Sequence, residues 1–269
     1  MELTIDYISD LHRDTYLRFF QTQKEYEDYI FGDKAGEILF VLGDVAEKGN
    51  IVVSTLASLK ERYKRVIFVA GNHDLYVEHI GSFKSKSSTE KADILKKALA
   101  DAGVEMLTGE SIEINGVKIG GSHMWYDETY LMSKKGSEDI KRRFMSYWNM
   151  FMRDAGMLGR DGPFGIFERE IKKLEVLKDE VDVFLSHINP VPLDAYFAEE
   201  FRGDLSNTFF CFDGRKALET GKIKHFFFGH THVGLEMSYA NVKLHCNPFG
   251  YPGEAKIKDR FVKTVKIAV

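Results

Sequence analysis

Side chains that bind metals or transfer protons follow the apolar runs of this sequence at five separate places. The most distinctive run is RVIFVA at 65–70, which leads directly into Gly-Asn-His-Asp at 71–74. The others are Asp-x-His at 10–12, Gly-Asp at 43–44, Ser-His at 186–187 and Gly-His-Thr-His at 229–232. Carboxylates, carboxamides and imidazoles suit manganese, iron or zinc. One such group is typical of an ordinary turn, but five in the same relation to a strand indicate one shared site.

The predicted secondary structure can bring these groups together. Apolar, β-branched runs predict strands at 3–9, 37–42, 65–70, 117–121, 181–186 and 223–228. Helical periodicity appears at 51–62 and at 90–102, the second with a capping-box start at Ser87 and Glu90 and a stop at Gly103. Strands that alternate with helices predict an α/β fold. In open sheets of this kind, ligands bind outside the carboxyl ends of the strands.

Two further segments predict β-hairpins. The segment EINGVKI at 113–119 contains Asn-Gly, and MSYANVKLH at 237–245 has the pattern of a second tight turn between strands. Antiparallel pairs should therefore accompany the parallel ones, so the sheets are predicted to be mixed.

Composition limits the class of protein. The chain has 269 residues, of which 44% are hydrophobic and 29% charged, and no repeat or linker divides it, so we expect a single domain over 1–269. A net charge of −4 argues against non-specific binding to nucleic acid or to an anionic membrane. The first residues lack a signal-peptide pattern, and the apolar runs are strand-length. With only two cysteines, a reduced, cytoplasmic location is expected.

The region 126–170 differs from the rest of the chain. It is charged and rich in methionine and aromatic residues, and it contains the basic triplet Lys141, Arg142 and Arg143. We expect it to be helical. It is either a helical cap over one end of the sheets or a surface helix pair that completes the core, and the two descriptions are compatible.

The five polar groups, in their order along the chain, resemble the calcineurin-like metallophosphoesterase superfamily. The resemblance spans residues 10–232, and NPFGY at 247–251 and SHMWYD at 122–127 are further similar to small single-domain bacterial and phage members. It implies a four-layer α/β/β/α sandwich, in which two mixed β-sheets lie face to face with helices outside. It also implies a binuclear metal centre at the carboxyl ends of the central strands.

The resemblance implies a role for each polar residue of the motifs. One metal would be held by Asp10, His12 and His232, the other by Asn72, His187 and His230, with Asp44 bridging both ions. A carboxylate has two oxygens and can bridge, whereas a neutral imidazole offers one lone pair. His73 would not bind metal but would face the leaving group of the substrate. The remaining histidines are interpreted as structural or surface residues: His79, His123, His225 and His245.

Three further residues are candidates for the substrate site. In the protein-phosphatase branch, an Asp and an Arg follow the bridging Asp, whereas Glu47 and Lys48 stand here. Glu47 could orient His73 and Lys48 could contact phosphate, although lysine does not reproduce bidentate recognition by arginine. The alternative is a solvated Glu–Lys pair at the start of a helix. Tyr126 is either a pocket residue or an anchor for the region 126–170, and Trp125 is interpreted as an anchor.

The predicted function is hydrolysis of a phosphomonoester or phosphodiester of a small molecule or nucleotide. The expected cofactors are two divalent ions, manganese first, with iron, zinc or nickel as alternatives. The expected nucleophile is a hydroxide that bridges them, and His73 would protonate the leaving oxygen. A nuclease is the second interpretation and would require a basic groove. A non-catalytic interaction scaffold is the third.

Overall fold

The computed structural model of the protein describes residues 2–254 and 262–268. Eleven strands occur in this part of the chain: β1 Glu2–Ile8, β2 Gly36–Leu42, β3 Tyr63–Val69, β4 Glu105–Met106, β5 Glu110–Ile114, β6 Val117–Gly121, β7 Val183–Leu185, β8 His225–Phe228, β9 Leu235–Tyr239, β10 Val242–Cys246 and β11 Lys263–Ala268. The α-helices described are α1 Gln23–Phe31, α2 Gly49–Ser58, α3 Ser88–Asp101, α4 Thr129–Lys135, α5 Ile140–Phe151, α6 Pro163–Leu177 and α7 Arg215–Thr220.

The strands form two mixed sheets. The first sheet has five strands in the order β11-β1-β2-β3-β4, and β11 is its antiparallel member. The second has six strands in the order β5-β6-β7-β8-β10-β9, with antiparallel pairs at both edges. The central strands β1, β2 and β3 are parallel to one another, as are β7 and β8. Their carboxyl ends therefore meet at one edge of each sheet.

Three hydrophobic clusters hold the layers together. Ile5, Phe40 and Ile67 of the first sheet pack with Val183 and Phe227 of the second, so the two sheets lie face to face. The other face of the first sheet is covered by α1, α2 and α3, and that of the second by α5, α6 and α7. This arrangement confirms the predicted four-layer α/β/β/α sandwich of two mixed sheets.

The predicted elements are present, with small differences at their ends. The second helix begins at Gly49 and passes into a 3₁₀ turn at Leu59–Glu61. Ser87 caps α3 by accepting from the amide of Glu90, but the Glu90 carboxylate accepts from the Lys86 amide, so the capping box is incomplete. The sequence analysis missed α1, α7, β4 and β11. The strand β11 lies at a sheet edge and alternates between exposed and partly buried residues, which weakens its apolar signal.

The region 126–170 is helical, as expected. It contains α4, α5 and the first half of α6, and its buried aromatic residues Phe144 and Trp148 pack into the outer cluster of the second sheet. Among the helices described, none has the length and apolar composition needed to cross a bilayer.

Two of the histidines interpreted as structural form a stacked pair between neighbouring strands. His225 on β8 and His245 on β10 lie with ring planes 5° apart and with Nδ1 and Nε2 3.0 Å apart. Burial lowers the pKa of each to about 4, from an ordinary value of 6.5. Because the unfolded chain binds more protons between these two values, the pair loses stability as the pH falls from about 6.5 to 4.

Replacement of one ring should therefore reduce the sensitivity to acid. We expect the free energy of unfolding of His245→Phe to fall less between pH 7 and pH 5 than that of the wild type, by up to about 1.4 kcal/mol per pH unit for the titrating group removed. Denaturant titration at the two pH values measures this. The exposed His79 provides the control, since His79→Phe should leave the pH dependence unchanged. Identical pH dependence in His245→Phe and the wild type would contradict the prediction.

Candidate metal centre

The seven predicted metal ligands lie in the loops that follow five central strands. Four of them stand two residues after the last residue of β1, β2, β7 and β8, namely Asp10, Asp44, His187 and His230. His12 and His232 follow in the same loops as Asp10 and His230, and Asn72 follows β3. Because these strands are parallel within each sheet, their loops meet at one shared edge.

The loops bring six of the ligands into two groups. Ligand atoms of Asp10, His12 and His232 lie within 4.8 Å of one another, and so do those of Asp44, His187 and His230. In the first group, His232 Nε2 is 3.1 Å from His12 Nε2 and 3.4 Å from Asp10 Oδ1. The first group is the set implied by the resemblance. The second group contains His187 and His230 of the implied set together with Asp44, the implied bridge, and Asn72 stands outside this grouping of histidines and carboxylates.

Asp44 lies between the two groups. Its Oδ2 is 3.3 Å from His187 Nε2 and 3.9 Å from His12 Nε2. Its Oδ1 accepts a hydrogen bond of 2.9 Å from the backbone amide of His73, so the carboxylate is fixed in this orientation. One carboxylate oxygen therefore faces ligands from both groups, which is the position that a bridging ligand requires.

Two buried polar atoms show that the site fits cations. The Asn72 Oδ1 and the His187 Nε2 are buried and have no hydrogen-bond partner among the residues that the structure describes. The His187 Nδ1 lies 2.6 Å from the Leu42 carbonyl and donates to it, so in the neutral ring that metal binding requires the lone pair is on Nε2. Buried polar atoms without partners are costly, and both of these are metal-binding atoms. The residues therefore fit a pair of divalent ions.

Two further histidines, like His187, donate one ring N–H to an oxygen and keep the other ring nitrogen for a metal. His230 donates from Nε2 to the Phe209 carbonyl over 2.9 Å, which leaves Nδ1 toward the second group. His232 donates from Nδ1 to Glu254 over 2.7 Å, which leaves Nε2 toward the first. Metal-binding histidines commonly donate their second ring N–H to a carbonyl or carboxylate in this way.

The electrostatics favour bound cations. Burial opposes ionisation of Asp44, but the neighbouring histidines, His187 first, hold its pKa well below the usual range. Burial likewise opposes protonation of His187, and Asp44 nevertheless raises the pKa of its imidazole to about 9. At His12 and His230 burial dominates and lowers the pKa to about 4. The centre thus combines buried negative carboxylates with imidazoles that must be neutral to bind metal.

The backbone of the ligand loops is left-handed at most ligand positions. Five of the seven predicted ligands have a positive φ: Asp10 (55°), His12 (42°), Asp44 (56°), His230 (66°) and His232 (52°). The left-handed conformation costs a non-glycine residue roughly 1–2 kcal/mol. Such strain is concentrated at functional sites in proteins. The fold holds these side chains in place at a cost in stability.

Two glycines of the motifs allow the loops to approach closely. A Cβ at Gly71 would lie 2.1 Å from Asp44 Oδ1, and a Cβ at Gly43 would lie 2.5 Å from His187 Nδ1. Real Cβ atoms do not approach other atoms so closely. Glycine is therefore required beside the Asp44 carboxylate.

Asp74, the last residue of Gly-Asn-His-Asp, joins the loops after β2 and β3. Its Oδ2 accepts from the amides of Asp44 (2.7 Å) and Gly71 (2.8 Å), and its Oδ1 from those of Val45 (2.9 Å) and Ala46 (3.1 Å). The sequence analysis assigned no role to this residue, although its motif was recognised. Asp74 positions the Asp44 carboxylate by holding its backbone.

Asp154 was missed altogether and comes from the region 126–170. This fully buried carboxylate accepts from Asn72 Nδ2 (2.9 Å), Tyr76 (2.6 Å) and Tyr126 (2.6 Å). Because Asn72 donates its amide group to Asp154, its Oδ1 faces the metal centre. No local motif marks Asp154, since a lone aspartate in a helical, charged segment resembles a surface residue.

His73 lies beside the ligand groups and contacts Glu47. Its Nδ1 is 3.4 Å from Glu47 Oε1, and its Nε2 is 3.3 Å from the Tyr251 hydroxyl. Glu47 is also held by both terminal nitrogens of Arg153. Burial opposes protonation of His73, but Asp44 and then Glu47 raise its pKa above the ordinary value.

The other two candidate substrate residues lie away from the cavity. A cavity of about 590 Å³ opens on Asp44, Asn72 and His73, and neither Lys48 nor Tyr126 is among the described residues that line it. Lys48 is exposed at the N-cap of α2, as in the alternative of a solvated pair. Tyr126 is buried, with its hydroxyl between Asp154 and Trp148 Nε1, so the structure places it as an anchor rather than a pocket residue.

The contact between Asp154 and Asn72 can be tested by an isosteric change. We expect Asp154→Asn to weaken binding of one of two manganese ions by roughly 10–100-fold, because the amide of Asn72 loses the anion that orients it. Calorimetric titration of the metal-free protein measures both affinities. Asp161→Asn is the matched control, since Asp161 accepts from Ser88 and Thr89 rather than from a predicted metal ligand. Equal manganese affinities in Asp154→Asn and Asp161→Asn would contradict the assignment.

Comparison with solved structures finds chains that are similar to this one. The chain superimposes on the crystal structure of a phosphopantetheinyl hydrolase from Mycobacterium tuberculosis with a TM-score of 0.74 and 21% identity, over 97% of this chain and 95% of that one. At this identity the likeness shows a shared fold. A dimetal phosphatase from Danio rerio matches with a TM-score of 0.49 and 13% identity, over 97% of this chain and 91% of that one.

No curated protein matches the chain at a significant level. The family model for calcineurin-like phosphoesterases matches residues 3–234, which include every predicted metal ligand. The chain therefore belongs to the calcineurin-like phosphoesterases, a family of metal-dependent phosphoester hydrolases.

Proposed function

We propose that this protein hydrolyses phosphoesters of small molecules with a binuclear metal centre. The observation that carries the proposal is the position of Asp44, whose Oδ2 faces His187 of one ligand group and His12 of the other. Asp10 and His232 complete one group and His230 completes the other. We assign Asn72, whose buried Oδ1 has no hydrogen-bond partner among the described residues, to the second group. When bound, two divalent ions would supply Lewis acidity at the phosphoryl oxygens and a water of lowered pKa.

The chain's own residues would position the substrate and move a proton. The Nδ1 of His73 faces Glu47, whereas Nε2 lies 3.3 Å from the hydroxyl of Tyr251, which also lines the cavity. We assign to that Nε2 the proton that is donated to the departing ester oxygen. Glu47 orients the ring, and Arg153 in turn holds Glu47. Contact of Lys48 with phosphate stays a prediction.

The proposed ions are manganese, with iron, zinc or nickel as alternatives, because the donors are nitrogen and oxygen atoms. A cytoplasmic location is part of the proposal, and the two cysteines are free and buried, which suits a reduced setting. The phosphopantetheinyl hydrolase to which the chain is similar suggests phosphopantetheinyl esters as one substrate to test. Nucleotides and other small phosphomonoesters and phosphodiesters are the remaining candidates.

A metal-reconstitution assay tests the function. We expect the protein treated with a chelator to be inactive, and to bind two ions and recover hydrolysis of p-nitrophenyl phosphate or bis-p-nitrophenyl phosphate when manganese is added. The preference for one of these two esters then guides the choice of natural substrates. The panel to be assayed contains nucleotides, phosphopantetheinyl esters and single-stranded and duplex DNA. Absence of turnover with manganese, iron, zinc and nickel would favour the scaffold. Cleavage of DNA with steep salt dependence would favour the nuclease.

The role of His73 can be tested separately from metal binding. We expect His73→Ala to keep its metal content but to lose about 10²–10⁴-fold in kcat on an alkyl phosphate ester, because an alkoxide needs a proton to depart. The loss on a p-nitrophenyl ester should be smaller, since p-nitrophenolate is a better leaving group.

The exposed His79 provides the control, and His79→Ala should resemble the wild type on both esters. If His73→Ala hydrolyses the alkyl ester at the wild-type rate, the assignment of the proton donor is wrong.

A further inference from the structure

One wall of the cavity beside the metal centre is aromatic and apolar. The wall comes from two segments outside the metal-binding motifs, 151–152 and 196–210, together with Val233 and Leu235. Its aromatic members include Phe151, Phe201 and Phe210. A volume of about 590 Å³ is in the range of small-molecule sites, roughly 300–1,000 Å³.

This wall is continuous with the metal centre. The ring of Phe210 lies 4.9 Å from that of His230, measured between centroids. The preceding residue, Phe209, provides the carbonyl that orients His230. One short segment therefore both fixes a metal ligand and presents an aromatic ring to the cavity, so a phosphoester at the metals would have its organic group against this wall.

The segment 196–210 is held in place before any ligand binds. Asn207 donates from Nδ2 to the Phe201 carbonyl over 2.6 Å, and the ring of Phe197 packs edge-on against Tyr130 at 5.4 Å. Asp194, just before the segment, accepts from Tyr130 over 2.5 Å. The wall is thus tied to α4, and little ordering of these residues would be needed on binding.

The charges around the cavity disfavour polyanions. Arg153 is the single lysine or arginine among the described residues that line it, and Glu47 already pairs with both of its terminal nitrogens. The acidic residues Asp154 and Glu254 also line the cavity. A second phosphate group or a nucleic-acid backbone would find few cations here, whereas an uncharged apolar group would lose contact with water against the aromatic wall.

We propose that this wall is the subsite for the organic part of the substrate, and that it selects phosphoesters whose organic group is uncharged and apolar or aromatic. This inference rests on the proposed function, because it takes the phosphoryl group to lie at the metals. It narrows the substrate class to small esters with a single phosphoryl group. Phe201 and Phe151 are suited to a test because they are 50% and 62% exposed, so their removal creates no cavity in the core.

The test compares two phosphonates that differ only in the organic group. We expect the manganese-loaded protein to bind phenylphosphonate about tenfold or more tighter than methylphosphonate in calorimetric titration, because the phenyl ring lies against the wall. The double variant Phe201→Ala, Phe151→Ala should lose most of that preference and keep its affinity for methylphosphonate. Phe19→Ala is the matched control, since Phe19 is 55% exposed and is not among the residues that line this cavity.

Equal affinity of the wild type for the two phosphonates would overturn the inference. The inference would also be overturned if the double variant kept the wild-type preference for phenylphosphonate over methylphosphonate. Because these measurements record binding, they remain decisive whether or not the protein turns over any ester. If the wild type prefers phenylphosphonate but shows no metal-dependent hydrolysis of any ester, the proposed function is contradicted and the subsite is not.

Discussion

Two carboxylates, Asp10 and Asp44, must stay ionised although both are buried. The organisation of the centre depends on how the fold compensates the free-energy cost of burying these two charges. Burial of an unpaired charge is strongly unfavourable. Here the compensation comes from neighbouring loops: the amide of His230 donates to Asp10 over 3.1 Å, and that of His73 donates to Asp44 over 2.9 Å. Each carboxylate therefore ties its own loop to another loop, and the sheet edges are joined through the ligands themselves.

The geometry of these loops is maintained against local strain. The ligand positions with positive φ and the close approach at Gly71 would relax if the loops were independent. Asp74 prevents this, because its two oxygens accept four backbone amides from the loops after β2 and β3. A carboxylate that binds neither metal nor substrate thus stabilises the conformation that presents Asp44.

The region 126–170 does more than cover the second sheet, because it also contacts residues of the candidate site. Its Asp154 orients Asn72 from behind, and its Arg153 holds Glu47 beside His73. Phe151 and Met152 continue into the cavity wall. The metal-binding motifs thus account for the metal centre, whereas this region and the segment 196–210 shape the space in which the organic group of the substrate would lie.

Strand and helix periodicities are local, so the sequence alone predicted an α/β fold with mixed sheets. The sandwich of two sheets was implied by the family resemblance of the ligand motifs. The sequence also supported the family assignment, through the order of the five motifs along the chain. Only the tertiary structure identified Asp154 and the backbone role of Asp74, and placed Tyr126 as an anchor. The physical reason is that these roles depend on contacts between distant segments, such as Asp154 with Asn72, and no spacing along the chain records which buried partner a side chain will meet.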